Sequence, residues 1–456
     1  MSRGLFILGT TTGARARASV TIAHLVLDRL LKRRLAEPWG VRLDSSVPSR
    51  SPTSWTFAPS RPQLILRCDA ATGVTALRGY RGELQRWENP FDALEWLGQF
   101  FKLYPGKPSA TLPCARWIGY LAYDLGRYFE HLPKPAGTAL PTALFSFTFH
   151  DGLDIDCHDA FRRPRYEHGK APELRSNFSR EQYLAAVERI IEYIRAGDIF
   201  QANLSQRFTT ALTERPCDIY YRLHGRAPAV FGAYLQFDDH ALLCSSPELF
   251  LRVTPRPDGS RHVVTRPIKG TRPRAPGMDE QLRASIKDEA ELNMIVDLER
   301  NDLGRVCEIG SVKVTEPRVI EAHPTVYHGA ATIEGILRPD VSFVDLLRAT
   351  FPGGSVTGAP KIRAMQIIDE LEPTRRGPYC GAIGYLAADG SMEFNVAIRT
   401  MIVENGRVHV PVGGGIVADS DPAAEYDETL VKARAMFDAL GLPVARAPSP
   451  VSGDAS

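Results

Sequence analysis

The sequence is poor in several features that would point straight to a function, and each scarcity excludes something. Its seven cysteines, at 68, 114, 157, 217, 244, 307 and 380, are odd in number and widely spaced among 456 residues, with no C-x-x-C. That pattern excludes a disulfide framework and a structural zinc site, and it fits a reducing compartment, so a cytoplasmic location is expected. Charge of one sign is not in excess: 55 basic against 53 acidic residues leave a net charge of +2. A chain so balanced has no electrostatic footprint for nucleic acid. No stretch approaches the ~18 consecutive apolar residues of a membrane span, so no membrane partner is expected. The basic N-terminus, MSRGLFILGTTTGARARASV, lacks the continuous apolar region and small-residue cleavage site of a secretory signal. Apolar residues themselves are not scarce: 44% hydrophobic and 24% charged exclude a disordered chain.

Texture divides the chain into an N-terminal extension over 1–36, a β-rich region over 37–161, a linker over 162–178, a region of mixed helices and strands over 179–440 and a disordered tail over 441–456. The β-rich region carries GVRLDSS, PQLILRCD, WIGYLAYDL and TALFSFTF between Gly, Pro and Asp punctuation. A capping box at Ser179 and Gln182 then opens a helix with Tyr183, Val187, Ile190, Ile191 and Ile194 on one stripe, ending at Gly197. Helices are also predicted from about Asp279 to Leu298, and after Pro360, where Ile362, Met365, Ile368 and Leu371 share a face. Asp389-Gly390 and Asn405-Gly406 are hairpin turns, and Asp421 and Pro422 open a last helix that Gly441 closes. Antiparallel hairpins mixed with helices make the fold class α+β.

Two glycine-rich stretches resemble nucleotide sites and fail as such. Gly353 to Gly358 opens like a P-loop, but Ala359-Pro360 stands where lysine and a hydroxyl residue must follow to hold phosphates and their metal. Gly413-x-Gly415-x-x-Ala418 lies near the C-terminus with no βαβ unit after it, so these glycines serve close backbone approach instead.

The residues that could carry chemistry are acids on two helices, one arginine, one lysine and a glycine nest. Glu425, Glu428 and Lys432 share a helix face, either as a solvated face or as part of a site. Asp288 and Glu291 precede the apolar Met294-Ile295-Val296, an unusual place for acids. Two helices presenting carboxylates to each other suit a hard cation such as Mg²⁺. Arg399 sits in the strand text MEFNVAIRTMIV, where it is either a structural ion pair or a clamp on a substrate carboxylate. Gly413, Gly414 and Gly415 offer bare N–H groups for an anion. An arginine, a nest and a carboxylate-held metal describe a site for a small dicarboxylate. Lys269 in RPIKGTRPR reads as readily as a surface lysine. Glu248 in SSPELFLRV is half-buried, a setting that raises a carboxyl pKa, and His328 is either a core histidine or a ligand contact.

Residues from about 41 to 440 resemble the chorismate-utilising enzymes, most densely from 246 to 436. The segments are SSPELFL, RPIKGTRPR, KDEAELNMIVDLERNDLGRV, FPGGSVTGAPKIRAMQIIDELEP, GAIGYL, AIRT, GGGIVADSDPAAEYDET and LVKARAM, in the family's order. The resemblance implies a large two-sheet antiparallel α/β sandwich flanked by helices, with a chorismate pocket and Mg²⁺. It implies that Glu291 and Glu428, with Glu425 close by, hold the metal. It assigns Arg399 and Tyr385 to the enolpyruvyl carboxylate, and Gly413, Gly415 and Lys432 to the ring carboxylate. His328 would stand near the C4 hydroxyl, Glu248 would assist its departure, and Thr271 would line the pocket. Lysine in P-I-K-G-T, where the anthranilate synthases read P-I-A-G-T, resembles the aminodeoxychorismate synthase branch of para-aminobenzoate and folate synthesis. That branch takes ammonia from a separate glutamine amidotransferase subunit; no cysteine here sits in the G-x-C-x-G elbow of such an enzyme. The competing readings are anthranilate synthase component I and an inactive chorismate-binding regulatory subunit. The sequence departs from the family at Arg116, where glycine is expected, and at Leu249, where arginine is usual. RLDSS (42–46) resembles the family's tryptophan-binding motif only loosely, and residues 1–36 match nothing.

Overall fold

The computed structural model describes residues 41–44, 56–59, 62–103, 116–130, 132–133, 137–150, 153–156, 173–442 and 449–450. The extension over 1–36, most of the linker, nearly all of the tail and part of RLDSS lie outside the described residues.

Among the described residues, two large antiparallel sheets form, an eleven-stranded and a twelve-stranded one. The first runs Arg175–Ser176, Gln201–Ala211, Arg407–Ile416, Thr400–Glu404, His240–Ser246, Phe231–Gln236, Val41–Asp44, Thr56–Pro59 and Leu153–Asp156, with Gly358–Ala359 beside Gln201–Ala211 and Ser449–Pro450 parallel on the outer edge. The second runs Ile268–Pro273, Val326–Leu337, Arg261–Arg266, Leu249–Pro255, Met392–Val396, Ala382–Ala387, Arg116–Leu121, Phe145–His150, Leu64–Cys68, Thr75–Gly79 and Gly82–Trp87, with Lys313–Ala322 also paired to Val326–Leu337. Strands from the β-rich N-terminal region thus extend both sheets.

Two strands of the second sheet explain why their text does not alternate. Arg116–Leu121 and Phe145–His150 are buried at every position. Trp117, Tyr120, Phe145, Phe147 and Phe149 fill the core from both faces. A strand covered on both sides needs apolar residues at odd and even positions alike. Arg116 is accommodated by laying its guanidinium 4.4 Å from the centre of the Tyr385 ring.

Local signals place most of the helices. Ser179 accepts from the Gln182 N–H, and Gln182 reciprocates, at the start of Arg180–Arg195. Asp421 accepts from Ala424 N–H at 2.8 Å with Pro422 at the first position of Pro422–Ala439. Asn405 and Gly406 take φ of 45° and 70°, as a tight primed hairpin requires. The helix expected from 279 to 298 is two: Met278–Ala284 and Ile286–Gly304, broken at Ser285, whose hydroxyl caps the second. Ile362 is 44% exposed, off the buried stripe of Met365 and Ile368.

One strand prediction fails informatively. The text 392–403 is two strands in different sheets, Met392–Val396 and Thr400–Glu404. Residues 397–399 cross between them, and Arg399 takes a φ of 49°. The unbroken apolar run hides the crossing because the residues are buried between the layers on both sides of it.

Candidate active site

A cavity of about 1460 Å³ opens among the strands Ile268–Pro273 and Arg407–Ile416 and the helices Pro216–Arg226, Ile286–Gly304 and Pro422–Ala439, and it gathers most of the suspected residues. Glu248, Lys269, Thr271, Glu291, His328, Arg399, Gly413, Gly415, Glu425, Glu428 and Lys432 all line it.

Two crossings between the sheets build one wall. The chain passes from His240–Ser246 to Leu249–Pro255 through Pro247 and Glu248, and from Met392–Val396 to Thr400–Glu404 through Arg399. Glu248 is 4% exposed and its Oε1 has no hydrogen-bond partner among the described residues. Burial pushes its carboxyl above the usual range, with the Ser355 hydroxyl, then Lys269 and Arg399, opposing. No carboxylate lies within 4.0 Å of the Arg399 guanidinium among the described residues, so the structural ion-pair reading of that residue falls away.

A bulge aims Lys269. In Ile268–Pro273 the register against Val326–Leu337 shifts between Ile268 and Thr271. Gly270 takes a φ of 79°, and a Cβ there would stand 2.7 Å from Leu282 and 2.9 Å from Asp288. Only glycine fits this turn, which carries the Lys269 side chain into the cavity. Its Nζ donates to the Ser355 carbonyl at 3.4 Å. Burial lowers its pKa, and Glu291 and Glu248 work against that. Thr271 Oγ1 and His328 Nδ1 share a hydrogen bond of 2.9 Å. Burial, then the Arg399 charge, hold His328 well below its ordinary pKa, so the imidazole is neutral at pH 7.

The acids come from two helices. Ile286–Gly304 brings Glu291 and Pro422–Ala439 brings Glu425 and Glu428. Burial raises the carboxyls of Glu291 and Glu425. Lys432 holds Glu428 low through a 2.8 Å ion pair, while its Nζ also donates to the Gly413 carbonyl at 2.8 Å. Ser420 donates to Glu425 at 2.7 Å, and Arg272 draws Asp288 aside at 2.8 Å. Among the described residues no three His, Cys, Asp or Glu side chains form a ready-made metal site. An all-oxygen set facing an open cavity nevertheless fits Mg²⁺, which uses one or two carboxylates and completes its shell with water and ligand oxygens.

The glycine nest has a steric reason. A Cβ on Gly415 would fall 2.4 Å from Gln201 Nε2 and 3.4 Å from Lys269 Nζ. One on Gly414 would meet Glu425 at 3.3 Å and Lys432 at 3.5 Å, although Gly414 itself does not line the cavity.

Tyr385, like Gly414, is not among the residues that line the cavity. It lies on Ala382–Ala387 against Arg116, outside the cavity; Tyr379 is the tyrosine that lines it. Tyr385 lies within the GAIGYL text and Tyr379 two residues before it, and the text alone does not say which tyrosine faces the site. Sequence reading also missed Asn203, which lines the cavity with its Oδ1 buried and without a partner among the described residues, and Ser355, whose buried hydroxyl stands beside the Glu248 carboxyl. Their one signal was the failed P-loop text around Ser355, which bends a buried turn against the site instead of a phosphate.

Three comparisons bear on this site. A family model described as chorismate binding enzyme matches residues 68–438. The chain is 43% identical over 359 residues to anthranilate synthase component 1 of Thermus thermophilus, covering 71% of this chain and 77% of that protein. It is 36% identical over 433 residues to aminodeoxychorismate synthase component 1 of Klebsiella aerogenes, covering 89% and 94%. Among solved structures, anthranilate synthase component I from Streptococcus pneumoniae TIGR4 superposes with a TM-score of 0.72 at 30% identity, covering 86% of this chain and 93% of that one.

Proposed function

The chain belongs to the chorismate-binding enzymes, and we propose that within this family it is an aminodeoxychorismate synthase component I, converting chorismate and ammonia to 4-amino-4-deoxychorismate. The observation that carries this reading is the amine of Lys269, turned into the cavity by the Gly270 bulge. Its lowered proton affinity favours the neutral form a nucleophile needs.

The chemistry then divides into two displacements. Neutral Lys269 Nζ bonds to C2 of the ring, the two ring double bonds each move one place, and the C4–O bond breaks. Glu248, protonated in its buried setting, gives its proton to the departing hydroxyl, which leaves as water. Ammonia then bonds to C4, the double bonds return, and the C2–Nζ bond breaks with the electron pair returning to Lys269. Two displacements explain how nitrogen arrives where oxygen left. Arg399 and Tyr379 supply a cation and a hydroxyl for the side-chain carboxylate, and neutral His328 a hydrogen-bonding partner for the C4 hydroxyl. Glu291 and Glu428, with Glu425 nearby, would hold Mg²⁺, which would offset the repulsion between the ring carboxylate and the carboxylates of the site.

Ammonia would come from a separate glutamine amidotransferase subunit. The five described cysteines are all buried, and none sits in a nucleophile elbow.

Product separation tests the proposal. The purified chain with chorismate, Mg²⁺ and an ammonium salt should give 4-amino-4-deoxychorismate without pyruvate. Anthranilate with equimolar pyruvate would establish the other branch.

A further inference from the structure

The strand Gln201–Ala211 carries a buried side chain that the mechanism above does not use. Asn203 is 8% exposed and lines the cavity, and its Oδ1 has no hydrogen-bond partner among the described residues. Its backbone is held on both sides: its N–H donates to the Thr357 carbonyl at 2.8 Å, and its carbonyl accepts from Arg376 at 2.6 Å. The side chain therefore projects from a fixed point. A buried acceptor without a donor is destabilising, and a donor in the loaded site would relieve that.

Position identifies that donor. Asn203 pairs with Gly415 in the ladder, and a Cβ on Gly415 would stand 2.4 Å from Gln201 Nε2 and 3.4 Å from Lys269 Nζ. Asn203 thus stands at the Lys269 end of the cavity. Chorismate brings a single donor, its C4 hydroxyl, which Glu248 and His328 are placed to meet. A neutral primary amine has two N–H donors and one lone pair. The Ser355 carbonyl takes one N–H at 3.4 Å. The lone pair points steadily at a ring carbon only if the second N–H is also held.

We propose that Asn203 is a positioning residue for the nucleophile, its Oδ1 accepting the second N–H of Lys269 in the substrate-loaded site. The inference rests on the reading of Lys269 as nucleophile. An amide suits the task where a carboxylate does not, because a carboxylate would hold the amine as ammonium and remove its lone pair.

The test is the rate at which chorismate attaches to Lys269, followed by rapid quench and mass spectrometry with Mg²⁺ and no ammonia. Chorismate affinity is measured in parallel by calorimetry. Asn203→Leu, similar in volume without the acceptor, should slow attachment by about 10–100-fold while affinity holds. Asn203→Asp should also be slow, although it keeps the shape and a hydrogen-bonding oxygen. Attachment at the wild-type rate in Asn203→Leu would overturn the proposal. So would a parallel loss of rate and affinity, which marks a merely structural role. If the leucine variant does not fold, Asn203→Ala decides by the same criteria. No attachment in the wild type would remove the nucleophile reading itself, and this proposal with it.

Discussion

Glu248 and Arg399 occupy two chain crossings that are stitched to each other. Val396 N–H donates to the Glu248 carbonyl at 3.0 Å, and Ser245 N–H donates to the Arg399 carbonyl at 3.1 Å. Each residue leaves one sheet as its neighbour enters the other, so an acid and a cation reach the cavity from backbone that both sheets hold rigid. The burial this requires is what raises the Glu248 carboxyl.

Glu248→Gln should therefore lower turnover by about 10²–10⁴-fold, the usual contribution of a positioned acid. The sign of the pH dependence follows from the direction of the shift. The acid must be protonated to act, so wild-type turnover falls as pH rises through the raised pKa. The glutamine variant should lack that limb in a pH–rate profile.

Gly415→Ala should abolish most activity while leaving the fold intact. The added methyl group would lie 2.4 Å from Gln201 Nε2 and 3.4 Å from Lys269 Nζ, so it must displace one or the other at the heart of the site. Circular dichroism and thermal melting should stay near wild type while turnover is lost; equal turnover would mean the nest does not constrain the substrate.

The metal assignment predicts that chelation stops turnover and that added Mg²⁺ restores it. Glu291→Gln and Glu428→Gln should each remain folded and inactive, with Mg²⁺ affinity by calorimetry in the presence of chorismate weakened at least tenfold. Near-normal turnover of either variant at saturating Mg²⁺ would remove that residue from the ligand set.

Glu299 gives a stability prediction. It is buried on Ile286–Gly304, accepts from Thr265 Oγ1 at 2.8 Å, and burial pushes its carboxyl from 4.5 up to about 8. The native state thus keeps a proton that the unfolded chain releases. Wild-type stability should fall as pH rises from about 4.5 to 8, and Glu299→Gln should flatten that slope. Urea unfolding at pH 5 and pH 8 measures the difference.

Much of this was legible in the sequence because it is local. Caps at Ser179 and Asp421 and the Asn405-Gly406 hairpin are statements about neighbouring residues, and the structure forms each of them. What escaped was long-range. The crossing at Arg399 reads as one strand because burial between two layers removes the alternation that marks a strand end. Tyr379, in the turn before strand Ala382–Ala387, lines the cavity, and Tyr385, within that strand, does not, a distinction that only the folded chain makes. Asn203 lies in an ordinary strand and acquires its interest only from an acceptor left without a donor.

The central claim is that Lys269 decides the reaction, and the products of Lys269→Ala test it most directly. Supplied with chorismate, Mg²⁺ and ammonium, the wild type should yield 4-amino-4-deoxychorismate. The alanine variant should lose that product, with any residual turnover shifted to anthranilate and pyruvate because ammonia is left to add at C2. Formation of 4-amino-4-deoxychorismate by Lys269→Ala at the wild-type rate would contradict the account.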